Sequence, residues 1–308
     1  MKTFHGLVPP MVTPFTPEGA LDEPAVRRIV DFLIAGGVDG IFLLGTNGEL
    51  SSMPADMRRR LVELTVGQVN RRVTVYAGIT DNCLGNSQRA AEEYAGLGVD
   101  ALVAHLPSYY PLGAEEIRDW FLRLADHSPA PLILYNIPVT THHSIPLPVV
   151  EELMRHPRVA GIKDSERDEK RQAAGIAMLC ANPERSFFCG ASPLFLSTLV
   201  QGADGIVPAT ANFAPAVHAD LYRAVHRKDQ AAAEACQRFQ ERLTGLYLKA
   251  GRPLAQNIAA LKGLMWAAGL CGPTVLSPLR TLNPQELDAL KAEYQDVLSA
   301  MKGSCQDA

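Results

Sequence analysis

The 308-residue sequence has no Cys-x-x-Cys pair, and its six cysteines, at positions 83, 180, 189, 236, 271 and 305, stand far apart. That scatter excludes a disulfide framework and a cysteine zinc site, and it fits a reducing cytoplasm. Long apolar runs are missing as well: none approaches the roughly 18–20 residues that a membrane-crossing helix requires. Met1-Lys2-Thr3-Phe4-His5-Gly6 leads into prolines rather than an apolar stretch, so no secretory signal is read. Basic residues form no stripe and the net charge is −4, which removes the electrostatic footprint of a nucleic-acid binder. Arg58-Arg59-Arg60 and Arg71-Arg72 sit within or at the end of a helical pattern and read as solvated helix faces. With 47% hydrophobic and 20% charged residues, the chain has ample material for a core and no signature of disorder.

Short apolar runs, most rich in β-branched residues, recur at spacings of roughly 20 to 35 residues, the period of a βα unit. They cover residues 6–8 continuing to 12–13, 40–45, 73–79, 101–106, 131–136, 159–163, 186–190 and 205–209. Their uniform apolarity fits parallel strands buried on both faces. Helical patterns occupy 21–35, 57–69, 87–97, 115–126, 147–154 and 169–179, with Asp22, Ser87, Ser165 and Ser192 as expected N-caps. Three joints, at 36–40, 96–100 and 202–205, end a helix with glycine and turn into a strand, as one repeating unit would. Eight such units close into an α/β fold, a (β/α)8 TIM barrel, with an open doubly wound sheet as the alternative. From Ala214 onward no strand signal remains, and helices are predicted over 214–227, 230–247, 254–268 and 284–301. The expected organisation is a barrel core over 1–213 and a helical extension over 214–308.

Barrel enzymes carry their chemistry at the C-terminal ends of the strands. Lys163 ends the sixth strand, where burial lowers the pKa of an ammonium and frees an amine able to form a Schiff base with a ketone. The competing reading is a lysine whose head group reaches solvent. Tyr135 ends the neighbouring strand and offers a phenol for proton transfer, or else an aromatic plug in the core. Thr46 and Asn47, in the turn Gly45-Thr46-Asn47-Gly48-Glu49, offer donors suited to a carboxylate. That turn lacks the Gly-x-x-x-x-Gly-Lys spacing of a phosphate loop. His105 reads as a mouth-lining or a hydrogen-bonded core histidine. His142-His143 reads as an exposed loop pair, with contact to substrate hydroxyls as the alternative, and has no third metal ligand nearby in sequence. Asp164 either orients Lys163 or favours a helix N-terminus.

Gly-Thr-x-Gly-Glu after strand 2, Tyr-Asn-x-Pro after strand 5 and Gly-x-Lys-Asp after strand 6 resemble the N-acetylneuraminate lyase/dihydrodipicolinate synthase family of Schiff-base aldolases. The likeness runs from Pro9-Pro10-Met11-Val12-Thr13-Pro14-Phe15 to the helical tail. It implies Lys163 as the Schiff-base lysine, Tyr135 as general acid/base, and Thr46 and Asn47 as binders of the pyruvate carboxylate. Tyr110 matches the tyrosine that a neighbouring subunit contributes to a proton relay, and Gly190 and Val207 match residues behind the lysine. It also implies a homotetramer, with pyruvate and an aldehyde as reactants and with no cofactor or metal.

Two positions depart from the synthases that make dihydrodipicolinate. Thr140 stands where those carry an arginine for the second substrate's carboxylate, and Asn47 replaces a more usual hydroxyl. Residues 209–215, Ala-Thr-Ala-Asn-Phe-Ala-Pro, look more like the family's aldolases of 2-oxo-3-deoxy sugar acids. The resemblance therefore implies a pyruvate-dependent class I lyase cleaving such an acid reversibly. A 4-hydroxy-tetrahydrodipicolinate synthase, a hydratase-aldolase, a hydroxy-oxoglutarate aldolase and a non-catalytic oxo-acid sensor are the other readings.

Overall fold

The computed structural model describes residues 4–180, 182 and 184–304, so Cys305 and the first three residues lie outside it. Eight parallel strands form one sheet: β1 (Gly6–Leu7), β2 (Gly40–Leu43), β3 (Thr74–Gly78), β4 (Ala101–His105), β5 (Leu132–Asn136), β6 (Val159–Asp164), β7 (Ser186–Cys189) and β8 (Gly205–Ile206). Their spatial order is β1-β8-β7-β6-β5-β4-β3-β2. The seam between β1 and β2 is closed by chain beyond β1. There Asp39 N–H donates to Leu7 C=O at 2.9 Å, Phe42 N–H to Pro9 C=O at 3.0 Å, and Met11 N–H to Phe42 C=O at 2.8 Å. Regular pairing stops at Leu7 because Pro9 and Pro10 have no N–H to donate. The first and last strands are thus shorter than their apolar runs. The amide of Asn212 completes the closure, accepting from Val12 N–H at 2.9 Å and donating to Pro10 C=O at 3.0 Å.

Around the barrel run α1 (Glu23–Ala35), α2 (Ala55–Val69), α3 (Leu84–Leu97), α4 (Ala114–His127), the short α5 (Pro138–Thr141), α6 (Leu147–Leu153), α7 (Glu169–Cys180) and α8 (Phe195–Val200). The tail consists of α9 (Pro215–His226), α10 (Gln230–Tyr247), α11 (Leu254–Ala267) and α12 (Pro284–Ser304). Among the described residues no helix is long and apolar enough to cross a membrane. The (β/α)8 reading holds, and three of the four expected N-caps do not. Asp22 accepts from Ala25 N–H at 3.1 Å as a cap should. Ser87 instead lies inside α3, with its hydroxyl taking Asp81 N–H at 2.9 Å. Ser165 precedes α7 by several residues, and Asp168 accepts from Lys170 and Arg171 N–H in its place. Ser192 opens a 3-10 turn with no side-chain cap.

The three glycine joints are one device used three times. Gly37, Gly98 and Gly202 have φ of 83°, 96° and 99°, the left-handed geometry that residues with a Cβ avoid. Each is followed by an aspartate that caps the start of an adjacent strand. Asp39 accepts from Leu7 N–H at 2.7 Å, Asp100 from Val75 N–H at 2.7 Å and Asp204 from Phe187 N–H at 2.8 Å. The sheet separates two apolar cores. One lies between strands and helices, and the other fills the barrel with Val8, Phe42, Tyr76, Val103, Ile133 and Phe188.

A buried ion pair ties the tail to the barrel mouth. Lys262 of α11 reaches Glu49, and both side chains are fully excluded from solvent. Its ammonium also donates to Thr13 C=O at 2.7 Å and lies 4.1 Å from the Phe15 ring centre. Glu49 accepts Leu276 N–H at 2.8 Å through its other oxygen. Burial lowers the Lys262 pKa, and Glu49 opposes that effect. Removing one partner leaves an uncompensated charge. Lys262→Met is expected to cost roughly 3–5 kcal/mol in urea unfolding, with part recovered by adding Glu49→Gln. A cost under about 1 kcal/mol would contradict this coupling of tail and barrel.

Candidate active site

Parallel pairing places Tyr135 of β5 opposite Lys163 of β6, one step before both strands end. The side chain of Lys163 points into the barrel and is 5% exposed. Its nitrogen lies 3.8 Å from the centre of the Tyr135 ring and 4.8 Å from that of Phe42. Desolvation lowers the pKa of the amine, and the adjacent Tyr135 opposes this through charge and a hydrogen bond. The snorkelling reading of Lys163 is therefore excluded. Tyr135 is also buried, with Phe42 and His105 packed edge-on at centroid distances of 6.0 and 6.1 Å.

Side chains alternate along a strand, so Asp164 faces the opposite side from Lys163. Its carboxylate accepts from Arg171 Nε at 2.8 Å, Asn136 Nδ2 at 3.0 Å and Glu166 N–H at 2.9 Å. Burial raises the Asp164 pKa, and Arg171 opposes the rise. Neither expectation for Asp164 stands. No ion pair joins it to Lys163 among the described residues, and α7 begins only at Glu169. It fastens the ends of β5 and β6 together instead. Arg171 adds a bond to Ile145 C=O at 2.8 Å, and Asn136 donates to Glu166 at 2.7 Å.

A cleft of about 850 Å³ opens above Lys163, lined by Thr46, Asn47, Tyr135, Gly190 and Val207 among others. A Cβ at Gly190 would overlap Ser165 Oγ, forcing that hydroxyl aside, and would stand 3.1 Å from Lys163 Cε. The Thr46–Asn47 turn is held by its neighbours. Gly48 N–H donates to Gly45 C=O at 3.0 Å, Glu49 N–H to Thr46 C=O at 3.2 Å, and Thr13 Oγ1 to Gly48 C=O at 2.7 Å. Leu44 and Glu49 flank the turn with φ of 56° and 58°, a strained geometry for residues with side chains. The buried bonds of Glu49 to Lys262 and Leu276 hold that geometry in place.

Two predicted site residues lie outside this cleft. Thr140 lines an adjoining cleft of about 260 Å³ with Thr46, His105 and Ser108, and its hydroxyl donates to Ile137 C=O at 3.2 Å. Tyr110 is 69% exposed, stacked edge-on against Tyr109 at 4.9 Å, and contributes only its carbonyl to His143 Nε2 at 3.2 Å. His143 is therefore tied to the loop bearing Tyr110. His105 bonds Leu106 C=O through Nδ1 at 2.7 Å, and its pKa is lowered by burial. Sequence reasoning gave no role to Lys262, Arg171 or Asn257. Only the isolated lysine in the apolar stretch 258–265 signalled any of them.

The profile of the dihydrodipicolinate synthetase family matches residues 3–297. The probable 2-dehydro-3-deoxy-D-pentonate aldolase YjhH of Escherichia coli is 34% identical over 249 residues, covering 80% of this chain and 83% of that protein. The 4-hydroxy-tetrahydrodipicolinate synthase of Ralstonia nicotianae is 29% identical over 296 residues, 96% of this chain and 98% of that one. The crystal structure of YagE from E. coli, a dihydrodipicolinic acid synthase family protein in complex with pyruvate, superposes with a TM-score of 0.90 at 28% identity. It covers 96% of this chain and 99% of that one.

Burying Lys163 also has a thermodynamic signature. Its folded pKa lies below the ordinary value of 10.5, so between those two values the unfolded chain binds more protons and stability rises with pH. At neutral pH the residue costs stability. Lys163→Met is expected to raise the urea midpoint at pH 7, with the gain shrinking as pH approaches the ordinary lysine value. A destabilised variant at pH 7 would count against a desolvated amine.

Proposed function

The chain belongs to the dihydrodipicolinate synthetase family and is a lyase, and on that premise we propose that it is a pyruvate-forming class I aldolase for 2-oxo-3-deoxy sugar acids. The observation that carries this reading is the buried amine of Lys163 in register beside Tyr135 beneath an open cleft. The unprotonated amine adds to the 2-oxo carbon, and Tyr135 donates its phenol proton to the departing hydroxyl of the carbinolamine, leaving water, a protonated imine and a tyrosinate. Tyr135 takes the proton of the C4 hydroxyl as the C3–C4 bond breaks. The bond's electron pair passes into the imine to give an enamine, and the aldehyde leaves. The enamine takes a proton at C3, and hydrolysis releases pyruvate and the free lysine. The iminium is itself the electron sink, so the route calls for no cofactor or metal.

Thr46 and Asn47 bind the substrate carboxylate with hydroxyl, amide and backbone donors, and Gly190 and Val207 leave room behind the lysine. Tyr110 reaches the site of a neighbouring copy in a homotetramer, a role that its exposure permits. The scattered cysteines fit a cytoplasmic setting. Similarity to the pentonate aldolase YjhH supports the sugar-acid class, and Thr140 in place of an arginine weighs against condensation with aspartate semialdehyde. Pyruvate release from 2-oxo-3-deoxygluconate, its galactonate epimer, 4-hydroxy-2-oxoglutarate and N-acetylneuraminate is readable through lactate dehydrogenase. Release from a 2-oxo-3-deoxy sugar acid is expected, reduced at least about a thousandfold in Lys163→Ala. Silence with both sugar acids, together with turnover of aspartate semialdehyde and pyruvate, would overturn the assignment.

A further inference from the structure

His105 ends β4 and completes a row of three side chains across the barrel mouth. Strand pairing sets it opposite Tyr135, and Tyr135 opposite Lys163, so all three stand at one level on adjacent strands. Ala101 and Val103 of β4 point into the barrel, and alternation along the strand sends His105 the same way. Its ring packs edge-on against Tyr135 with centroids 6.1 Å apart. Thr80 pins its backbone from both sides, Oγ1 accepting His105 N–H at 2.8 Å and donating to His105 C=O at 3.3 Å. The imidazole is thus presented by a braced strand end.

The tautomer of that ring follows from its one bond. Nδ1 lies 2.7 Å from Leu106 C=O, and a carbonyl oxygen only accepts, so Nδ1 carries the proton. Burial lowers the His105 pKa against the opposing Leu106 bond and favours the neutral ring. Nε2 then bears a lone pair and can only accept. Among the described residues it has no hydrogen-bond partner, and it is not closed off from solvent.

The space beside the ring is the smaller cleft of about 260 Å³, which His105 lines with Thr46, Ser108 and Thr140. Thr46 and Leu254 line this cleft and the one above Lys163 alike, so the two join there. Its one ionised group, Glu49, is already held by Lys262 and by Leu276 N–H. The smaller cleft therefore offers hydroxyls, an imidazole acceptor and apolar walls, with no unpaired charge among the described residues.

We propose that His105 is a specificity-determining residue whose Nε2 accepts a hydrogen bond from the substrate hydroxyl at C5. That hydroxyl is next along the chain from the C4 hydroxyl that Tyr135 deprotonates. The inference rests on the aldolase assignment and deepens it. Tyr135 and His105 stand on strands about 4.8 Å apart, a spacing that two neighbouring hydroxyls of one substrate chain can bridge. An acceptor without a proton selects for a donor. It binds a hydroxyl, gains nothing from a hydrogen at that carbon, and disfavours a carboxylate, which has no proton to give. The preferred aldehyde is a small neutral 2-hydroxyaldehyde, and the preferred substrate a 4,5-dihydroxy-2-oxo acid.

The test runs the full-length protein in the condensation direction with pyruvate and two acceptors, glycolaldehyde and acetaldehyde. They differ only in the hydroxyl that becomes the one at C5. His105→Phe keeps an aromatic ring against Tyr135 and removes the acceptor, and His105→Leu removes both. The glycolaldehyde-to-acetaldehyde ratio of kcat/KM is expected to fall about tenfold in each variant, mainly through the KM for glycolaldehyde. A residue that only supports the fold would lower both rates together and leave the ratio where it was. A ratio unmoved in either folded variant overturns the proposal. So does a wild type that uses glycolaldehyde no better than acetaldehyde, or that adds neither to pyruvate. Pyruvate-dependent borohydride adducts, scored by intact mass, separate the two levels. Adducts retained with the ratio unmoved refute only the role of His105, and adducts absent from the wild type refute the aldolase assignment beneath it.

Discussion

An amine is useful as a nucleophile only if it is free of its proton, and burial in the barrel shifts Lys163 toward that form. Lys163 rises from a packed interior of Phe42, Tyr76, Val103 and Phe188, where an ammonium finds little solvation. The pleat of β6 matters as much as the burial. Asp164 follows directly in sequence, and a carboxylate beside the ammonium would stabilise it and undo the desolvation. Alternation along the strand sends that carboxylate outward to Arg171, so the two neighbours have opposite electrostatic settings. A one-residue slip of β6 would place the carboxylate inside and the amine outside.

The parts that meet at the barrel mouth are each fixed by a buried polar arrangement. Asp164, Arg171, Asn136 and Glu166 join the ends of β5 and β6, which sets Tyr135 against Lys163. Glu49 and Lys262 hold the strained Thr46–Asn47 turn to the tail. Buried pairs of this kind add little net stability compared with apolar packing, but each leaves an uncompensated charge if the geometry fails. Their energy favours one arrangement over its alternatives, which is what a site with several convergent groups needs. The tail thus fixes the position of the Thr46–Asn47 turn, which lies more than two hundred residues earlier.

Much of this was legible from the chain. Uniform apolar runs marked the strands, glycine and aspartate at the joints marked the repeat, and a lysine and a tyrosine ending adjacent strands pointed to the buried pair at the barrel mouth. What was not legible came from side chains whose partners are distant in sequence. Strand ends shortened by Pro9, Pro10 and Pro208 carry the same apolar signal as paired ones. Ser87 and Ser165 have the chemistry of caps, but the observed helix starts lie elsewhere, and Asp168 holds the start of α7. Lys262 stands out in the sequence only as a single lysine in the apolar stretch 258–265, and nothing in that pattern names Glu49 as its partner.

The central claim is that Lys163 and no other residue becomes covalently attached to a 2-oxo acid. Its most direct test is borohydride reduction of the intact protein with pyruvate, followed by peptide mass spectrometry. The account predicts a single adduct, the mass of a reduced pyruvyl imine, on the peptide containing Lys163, and none in Lys163→Arg. An unmodified wild type, or the same adduct persisting in Lys163→Arg, would contradict it.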